Sequence, residues 1–560
     1  MKKTIAFMIT LTTLGGALMG AGCGPQVIDE VDKTKTTLRI ANYNGGVGEE
    51  WLDQLALRFE EAYKDVSFEE GKMGVDVRPD HNKKYSGKEI VSSLKNDTNN
   101  HIYFTQALDY HMMADSGLFA DITELVTETV GSDNKKIVDK LSNDRKEFLE
   151  KDGSYYAIPH YELYNGIQYD AGVFSSKKLY FSDVFNEDGT RMFINSPNAK
   201  KSCGPDGIYN TYDDGLPSSY DEFYRLIDQM TSNDVIPFIW TGASTHYTNM
   251  LLSSLFDNYI GADGYNALLD FEEKDIEIVT SYAGGAVQTQ METLTKETAY
   301  KVKYSAAMYY ALEFCETVFK KNSGYFPLKC VGAGFTNINA QRDLWNSGLD
   351  GDKPIAMLID GSYSYNEAVE ADILKDLQRD WPLTYKNKDV RYMPMPVQYS
   401  GTVTEGKGKS PVLVDTYRSY TFINANTKGA QLDVAKAFLC FAYTDQELKN
   451  FTLTTNGIAK ALNYDLTEIA KDENLCSNGK NMLQIRQAAV EGGSLVFPYR
   501  AHETFLENAA HFDFSTGGSF WHAKSATIAF NAFNGGMTAT DYFKEIEEKW
   551  TAKTWADILN

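Results

Sequence analysis

The chain has 560 residues, more than one ordinary domain holds, so we expect two or three domains. Its 77 Asp and Glu residues outnumber the 54 Lys and Arg residues, and the formal net charge at pH 7 is −23. This balance argues against nucleic acid or an anionic membrane surface as a partner, and an uncharged ligand fits it better. Aromatic residues make up 13% of the chain, which supplies ring surface for binding as well as for cores.

The first 22 residues have the pattern of a signal peptide. Lys2 and Lys3 precede an apolar stretch at 5–19, and small residues lead into Cys23. This order resembles the bacterial lipoprotein signal, in which the cysteine is lipidated and becomes the new N-terminus. Gly20 departs from that pattern, which prefers Leu, so plain secretion with cleavage nearby is the alternative. We expect residues 23–35 to form a tether and the protein to be anchored by lipid outside the cell membrane.

The motifs of several enzyme classes are missing from the sequence. The eight histidines show no HExxH spacing, and GxSxG is absent. A stretch at 401–408 begins like a phosphate-binding loop, but Gly408 stands where Ser or Thr must hold magnesium. Five further cysteines lack zinc spacing, although a pair such as Cys315–Cys330 is open. We therefore predict a protein that is not an enzyme and requires no cofactor.

Short strands and helices alternate in the first part of the chain. A strand at 38–41 leads through the loop Tyr43–Gly48 into a helix with Trp51, Leu55 and Phe59 on one face. This alternation predicts a parallel, doubly wound sheet, whose ligand lies at the carboxyl ends of the strands. The loop, with Asn44 as its second residue, is in that position.

A tyrosine-rich stretch at 155–174 follows. It holds five tyrosines together with Glu162 and Asn165, and Pro159 excludes a helix there. Tyrosine combines an apolar ring face with a hydroxyl at its edge, as a sugar-binding surface requires. The alternative is a strand that packs its tyrosines into a core.

Further along, three segments contain candidate binding or metal residues. An acidic loop at 203–215 could hold a structural Ca²⁺, although its spacing is not that of an EF-hand and a plain acidic turn is the alternative. Its oxygen-bearing residues are Asp206, Asn210, Asp213 and Asp214. A strand at 236–240 ends in Trp240, for which a core position is the alternative. A buried strand at 355–359 runs into Asp360 and Tyr363, and a helix is expected from Ser519 to Ile528.

In this order, the segments resemble the extracellular solute-binding proteins of ABC transporters, specifically the carbohydrate-binding type related to maltose-binding protein. The resemblance covers nearly the whole mature chain. It rests on the segments Asp115–Ile122, Tyr156–Pro159, Ile359–Tyr365, Ile423–Leu448 and Ser519–Gly535. It implies an α/β, type II-like periplasmic-binding-protein fold, with two doubly wound lobes and flanking helices.

The resemblance also implies where the lobes lie along the chain. The N-terminal lobe would comprise residues 36–160 plus 421–462, and the C-terminal lobe residues 161–420 plus 463–560. Hinge segments would cross between the lobes near 161–169, 417–424 and 459–464.

The function implied is capture of an oligosaccharide between the lobes by a monomer that delivers it to permease subunits. The residues expected to stack on sugar rings are Tyr161, Trp240, Tyr363 and Trp521. The residues expected to supply hydrogen bonds are Tyr43, Asn44, Glu162 and Asp360. Gly46 and Val47 replace the charged pair of the maltose receptor's first loop, which argues against maltose itself.

Two other functions remain open from the sequence. A receptor for peptides or another small polar solute predicts a charged anchor in the cleft. A secreted glycoside-cleaving enzyme predicts two carboxylates that converge about 5–10 Å apart.

Overall fold

The structure is a computed structural model that describes residues 31–97, 99–196, 198–282, 287–499 and 508–560. The predicted signal peptide and Cys23, the predicted lipidation site, lie outside the described residues. Within these ranges, no helix is both long enough and apolar enough to span a membrane. The five cysteines that the structure describes are all free thiols, so Cys315 and Cys330 form no disulfide with each other.

One sheet forms the centre of the N-terminal lobe. Its strands, in sheet order, are Val75–His81, Thr36–Asn42, Ile102–Thr105, Tyr420–Ile423 and Ile158–Pro159. The first three are parallel, as predicted, and the last two run antiparallel to their neighbours. The sheet is therefore mixed rather than all parallel, because the returning chain enters this lobe from the side of the hinge.

A second sheet forms the centre of the C-terminal lobe. Its strands, in sheet order, are Ile236–Ile239, Ile355–Gly361, Asn165–Asp170 and Val390–Tyr392. The first pair is parallel and the other two pairs are antiparallel. Every residue of Ile355–Gly361 is buried, because this central strand is covered on both faces.

Helices flank both sheets. The α-helices around the first sheet are Glu50–Ala62, Gly87–Leu94, Tyr110–Asp115, Thr123–Thr127, Asn143–Leu149, Ala430–Ala442 and Asp445–Thr454. Those around the second are Ala171–Ser176, Tyr220–Ser232, Asn249–Leu269, Ala306–Phe319, Asn337–Asn346, Ser364–Glu370, Ile373–Asp380, Pro382–Asn387, Ser477–Glu491, Ala529–Asn534, Ala539–Lys549 and Ala552–Leu559. Paired short strands lie outside the two sheets at Lys274–Ser281 with Gln288–Leu294, Phe181–Phe185 with Arg191–Phe193, Glu150–Lys151 with Ser154–Tyr155, and Leu413–Val414 with Leu495–Val496.

The helix predicted from Ser519 to Ile528 is wrong. Ser519–Trp521 is a single 3₁₀ turn, and the next helix begins at Ala529. The local backbone carbonyls are bound by side chains instead of by helical N–H groups: Lys549 donates to the carbonyl of Ser519 at 2.9 Å, and Tyr542 donates to that of Trp521 at 3.0 Å. These donors come from elsewhere in the fold, so the local pattern did not reveal them.

The chain crosses between the lobes in three segments: 160–164, 415–419 and 459–464. The first connects a strand of the N-terminal sheet to one of the C-terminal sheet. The second leads back into the N-terminal sheet, and the third leaves that lobe towards the helix Ser477–Glu491. This helix packs on the C-terminal sheet, where its Asn481 accepts the backbone N–H of Tyr392 at 3.0 Å.

The three crossing segments lie side by side and form one hinge. Tyr161 pairs with Lys460, and Tyr164 pairs with Asp415, both antiparallel. The segment 160–164 is therefore the middle one, and each outer segment is attached to it by backbone pairing.

A buried ion-pair network joins the hinge to both lobes. Glu162 accepts Arg486 at 2.8 Å and lies 3.4 Å from Arg145, which also donates to Asp415 at 2.8 Å. Tyr164 donates to the same Glu162 carboxylate at 2.8 Å. Burial alone would raise the pKa of Glu162, but the guanidinium groups of Arg486 and Arg145 outweigh it and hold that pKa below its usual value. Two acids and two bases thus neutralise each other.

A second buried contact in the hinge pairs an amine with an imidazole. Lys460 is 3% exposed, and its Nζ lies 2.5 Å from His160 Nδ1. Aromatic rings surround the amine, with Phe451 at 4.2 Å and Trp51 at 4.8 Å from it. Burial lowers the pKa of Lys460 well below its usual value, and it does the same to His160. This part of the hinge is therefore held by a weakly basic amine.

We predict that Arg486→Met destabilises the protein by about 3–5 kcal/mol, because it leaves Glu162 buried with only the longer contact to Arg145. Urea unfolding followed by tryptophan fluorescence measures the change. The matched control is Arg379→Met, because Arg379 pairs with Asp376 and Asp380 on the exposed surface. The control should unfold close to the unmodified protein, and equal losses in both variants would contradict a hinge role for the network.

Candidate functional site

The two lobes touch at the loop Tyr43–Gly48, which follows the strand Thr36–Asn42. Gly46 has a φ of +77°, and a Cβ at this position would lie 2.9 Å from the ring of Tyr363 in the other lobe. Tyr363 is only 6% exposed. The loop thus closes directly on the C-terminal lobe, and glycine permits both the backbone angle and the close approach.

Five tyrosines gather at this contact, and we call them the tyrosine cluster: Tyr43, Tyr161, Tyr247, Tyr363 and Tyr417. The hydroxyl of Tyr363 donates to that of Tyr247 at 3.3 Å, and its ring meets the ring of Tyr417 edge-on at 5.8 Å between centroids. Tyr161 is buried in the hinge and donates to Gln106 at 2.7 Å. Both lobes and the hinge contribute to the cluster.

Burial raises the pKa of the cluster hydroxyls. The pKa values of Tyr161, Tyr363 and Tyr417 lie well above the usual value for tyrosine. The hydroxyls therefore stay protonated at physiological pH and can both donate and accept hydrogen bonds.

Two carboxyl groups lie beside the cluster and share one amide. Gln341 donates through Nε2 to Asp360 at 3.1 Å and to Glu367 at 2.6 Å. Asn337 donates to Glu367 at 2.9 Å, and the N–H of Gly361 donates to Asp360 at 2.7 Å. Burial, and then the neighbouring Glu367, raise the pKa of Asp360 to about 8.

Five of the eight predicted ligand residues come together here. They are Tyr43, Asn44, Tyr161, Asp360 and Tyr363. The reason is the topology: the first loop and Asp360 both stand at the carboxyl end of a strand, and Tyr161 lies in the hinge beneath them.

Trp240 and Trp521 lie elsewhere, which corrects the sequence interpretation. Trp240 is fully buried in the core of the C-terminal lobe, with its ring centroid 4.5 Å from that of Phe326. Trp521 is 2% exposed and donates through Nε1 to the carbonyl of Phe514 at 3.1 Å. Neither ring has a face free for a sugar.

The prediction that Glu162 binds the ligand is also corrected, because the hinge network engages both of its carboxylate oxygens. They accept hydrogen bonds from Arg145, Arg486 and Tyr164. Glu162 supports the hinge and does not face the tyrosine cluster.

In the acidic loop, each of the three aspartates accepts a backbone N–H through one of its carboxylate oxygens. Asp213 accepts the N–H of Asp206 at 2.8 Å, and Asp206 accepts that of Ile208 at 2.7 Å. Asp214 accepts the N–H of Asn210 at 2.9 Å. Among the described residues, no group of three or more His, Cys, Asp or Glu is placed to hold a metal ion. The calcium site stays a prediction.

Sequence reasoning missed several residues of the site. Tyr247, Gln341, Glu367 and Tyr417 were not among the predicted ligands. A helical signal existed for Glu367, which stands four residues after Tyr363 and so lies on the same face. Tyr417 falls within a predicted crossing segment. No sequence signal marked Gln341, which is brought to Asp360 only by the packing of the helix Asn337–Asn346.

Two other spaces are less suited to a sugar. A cavity of about 10 Å³ under the hinge, between Glu162 and Arg486, has room for about one water. An open groove of about 830 Å³ on the N-terminal lobe is lined by Arg39, Arg78 and Lys84. Its tyrosine, Tyr85, is buried within one lobe and donates its hydroxyl to Asp80.

Comparisons with solved structures identify the fold. The chain matches no protein-family model, and its sequence matches none of the curated proteins. Its structure is similar to maltose-bound MalE3 of T. maritima, with a TM-score of 0.51 and 12% identity over 93% of this chain and 100% of that one. This is a two-lobed periplasmic-binding-protein fold. The predicted fold class is confirmed.

Two further structures share this binding-protein fold. One is the GacH receptor of Streptomyces glaucescens, with a TM-score of 0.52 and 12% identity over 94% of this chain and 98% of that one. The other comes from xylan utilisation by Caldanaerobius polysaccharolyticus, with a TM-score of 0.52 and 12% identity over 92% and 99%. At this identity the likeness concerns the fold.

We predict that Gly46→Ala opposes closure of the lobes, because the new Cβ meets the ring of Tyr363. Gly71→Ala is the matched control: its φ of +78° imposes the same backbone strain, but nothing lies within 4 Å of the new Cβ. Small-angle scattering should give a larger radius of gyration for Gly46→Ala alone. Equal radii would show that this contact does not limit closure.

We predict that Trp521→Ala costs about 3–5 kcal/mol of stability, as expected for a buried tryptophan in a core. Trp381→Ala is the control, since Trp381 is 42% exposed. Thermal unfolding should show a clear loss only for Trp521→Ala. A variant that melts normally but loses ligand affinity would return Trp521 to the binding site.

Proposed function

We propose that the protein captures a saccharide in the cleft between its lobes and delivers it to the permease of an ABC importer. The observation that carries this proposal is the tyrosine cluster at the contact of the two lobes. Its rings offer apolar faces for the C–H surface of a sugar, and its hydroxyls offer hydrogen bonds to sugar hydroxyls.

The similar structures support a saccharide as the ligand class. One of them has maltose bound, another is an acarbose receptor, and the third belongs to xylan utilisation. In this proposal our chain takes an oligosaccharide, with the tyrosines in the role that tryptophans would otherwise have.

The hinge provides the motion that capture needs. Three short segments connect the lobes, so rotation about them opens the loop Tyr43–Gly48 away from Tyr363 and admits the ligand. A saccharide that touches both lobes binds the closed state more tightly than the open state, and so shifts the population to closure.

The proposed place of action is outside the cell membrane. The lipoprotein-like sequence supports export, lipidation of Cys23 and a tether at 23–35. We propose that the mature protein works as a monomer that meets its permease in the closed, loaded state.

A thermal-shift screen of the mature protein against oligosaccharides, peptides and polyols tests the function. A ligand that binds only the folded state raises the melting temperature, so a hit requires no assumption about its identity. We expect a saccharide series to give the largest shift, without any turnover.

Tyr247→Ala should then weaken binding of that saccharide roughly tenfold to a hundredfold, as expected for loss of an aromatic anchor.

Tyr209→Ala is the matched control, because Tyr209 lies in the acidic loop outside the tyrosine cluster and should bind as before. Shifts with peptides but with no saccharide would move the ligand to another class. Release of smaller sugars during incubation would instead indicate the glycoside-cleaving enzyme.

A further inference from the structure

Hydrogen-bond acceptors are left without partners on both sides of the cleft. Gln341 is fully buried, and its Oε1 accepts no hydrogen bond from the described residues. Asn44 Oδ1, in the opposite lobe, also accepts no hydrogen bond from the described residues. Gln341 already uses both of its amide donors, on Asp360 and Glu367, and Asn44 uses one of its donors on Glu49. The open atoms therefore call for a ligand rich in donors.

Acidic side chains meet at the same place from both sides. Asp360, Glu367 and Glu370 come from the C-terminal lobe, and Glu49 comes from the N-terminal lobe. Burial raises the pKa of Glu370, and the nearby charges of Glu49 and Glu367 raise it further. A Cβ at Gly48 would lie 3.3 Å from Glu370 Oε1, so this carboxylate reaches the opposite loop.

The protein supplies little positive charge in return. Lys83 acts on Glu367 and Glu370 only at longer range, together with His81 on Glu370. The ring of His81 contacts Asn42 at 2.9 Å and Asp53 at 3.1 Å. Across the described ranges, no lysine, arginine or histidine forms an ion pair with the three C-terminal-lobe acids. A buried carboxyl group such as that of Asp360 is costly to ionise without a cation, so a ligand that brings one would be stabilised.

The tyrosine cluster adds aromatic faces to these carboxylates. The charges of Asp360 and Glu367 both help to raise the pKa of Tyr247 and of Tyr417, which places the acids close to these rings. Rings together with carboxylates make a good environment for an ammonium ion, which is attracted to the ring faces. A neutral sugar would use the rings but would bring no cation to the acids.

We propose that the solute bound between the lobes carries an ammonium group, which Glu367, Asp360 and the open oxygen of Gln341 receive. An amino sugar with a free amine is the form that fits the proposed function, on which this inference rests for the position of the ligand. The ammonium ion has three donors and no acceptor, which matches an anionic site with unpartnered acceptors.

Binding of this kind releases a proton. With a pKa of about 8, the carboxyl group of Asp360 is mostly protonated at neutral pH in the empty site. An ammonium beside it favours the carboxylate, so the proton leaves to solvent as the ion pair forms.

Calorimetry in two buffers of different ionisation enthalpy should therefore report proton release at neutral pH. The other titratable groups facing the pair are Tyr43, Tyr247, Tyr363, Tyr417, Glu370, Glu49, Lys83 and His81.

The test uses the full mature protein and probes that differ only in the charged group. Glucosamine, N-acetylglucosamine and glucose form one triplet, and their β-1,4-linked trimers form a second. N-acetyl-lysine amide and N-acetyl-norleucine amide form a pair that is not a saccharide. Affinities are measured at about pH 6, where all the amines are charged.

We expect the amine of each triplet to bind at least about tenfold more tightly than its two neutral analogues. Glu367→Gln and Glu370→Gln should each reduce this preference, and Glu370, being on the surface, is the safer change for folding. Glu128→Gln, on the exposed surface of the N-terminal lobe, is the control and should keep it.

The outcomes separate this inference from the proposed function. Neutral analogues that bind as well as the amine, or another neutral saccharide as the only hit, would overturn the inference and leave saccharide capture standing. Binding of the lysine derivative without any saccharide would support the ammonium site and overturn saccharide capture. The absence of binding by every probe and every saccharide would overturn both.

Discussion

The buried pairing of Glu162 with two arginines is the constraint on which the arrangement of the lobes depends. Arg145 belongs to a helix of the N-terminal lobe, and Arg486 belongs to a helix that packs on the C-terminal sheet. Since Glu162 lies in the middle crossing segment, one carboxylate ties both lobes to the hinge. A charge buried in this way must keep its partners, so the hinge can rotate only while the network stays assembled.

The hinge and the cleft contain ionisable groups of opposite kinds, a base in the hinge and acids in the cleft. At the hinge, Lys460 is a buried amine with an imidazole as its polar partner. In the cleft, Asp360 and Glu367 are acids with amides as their partners. The two sites are separated by the tyrosine cluster, whose neutral hydroxyls do not compensate either charge. At the hinge, burial lowers the pKa of Lys460; in the cleft, burial raises the pKa of Asp360, and a cationic ligand would favour its carboxylate again.

The sequence was informative where the signal is local. The alternation of short strands and helices predicted the parallel part of the first sheet, and the apolar run at 355–359 predicted a buried strand of the second. Tyr43 and Asp360 were predicted because they follow strands, and the ligand of such a sheet lies at the carboxyl ends of its strands. Net charge was less informative: −23 for the whole chain favoured an uncharged ligand, but the placement of a few carboxylates beside tyrosine rings decides the chemistry of the cleft.

The remaining residues could not be placed from the sequence, because their partners are distant. Glu162 was predicted to bind the ligand, but in the structure its carboxylate binds Arg486, which lies 324 residues later in the chain. Trp240 and Trp521 read as sugar-stacking rings, but the phenylalanines that bury them come from other segments. Aromatic composition does not say which rings lie between the lobes: here five tyrosines do so, whereas Trp240 and Trp521 are buried in the core of the C-terminal lobe.

The three crossings also determine the order in which the molecule can be completed. The strand Ile102–Thr105 keeps one edge unpaired until Tyr420–Ile423 is available, and Ser419 closes on Thr105 across 314 residues. Most of the C-terminal lobe is synthesised in between. The first lobe therefore finishes folding only after much of the second exists, and such long-range pairing makes folding slow and leaves a strand edge exposed to aggregation. Neither lobe is a continuous piece of chain that could be cut out and expected to fold alone.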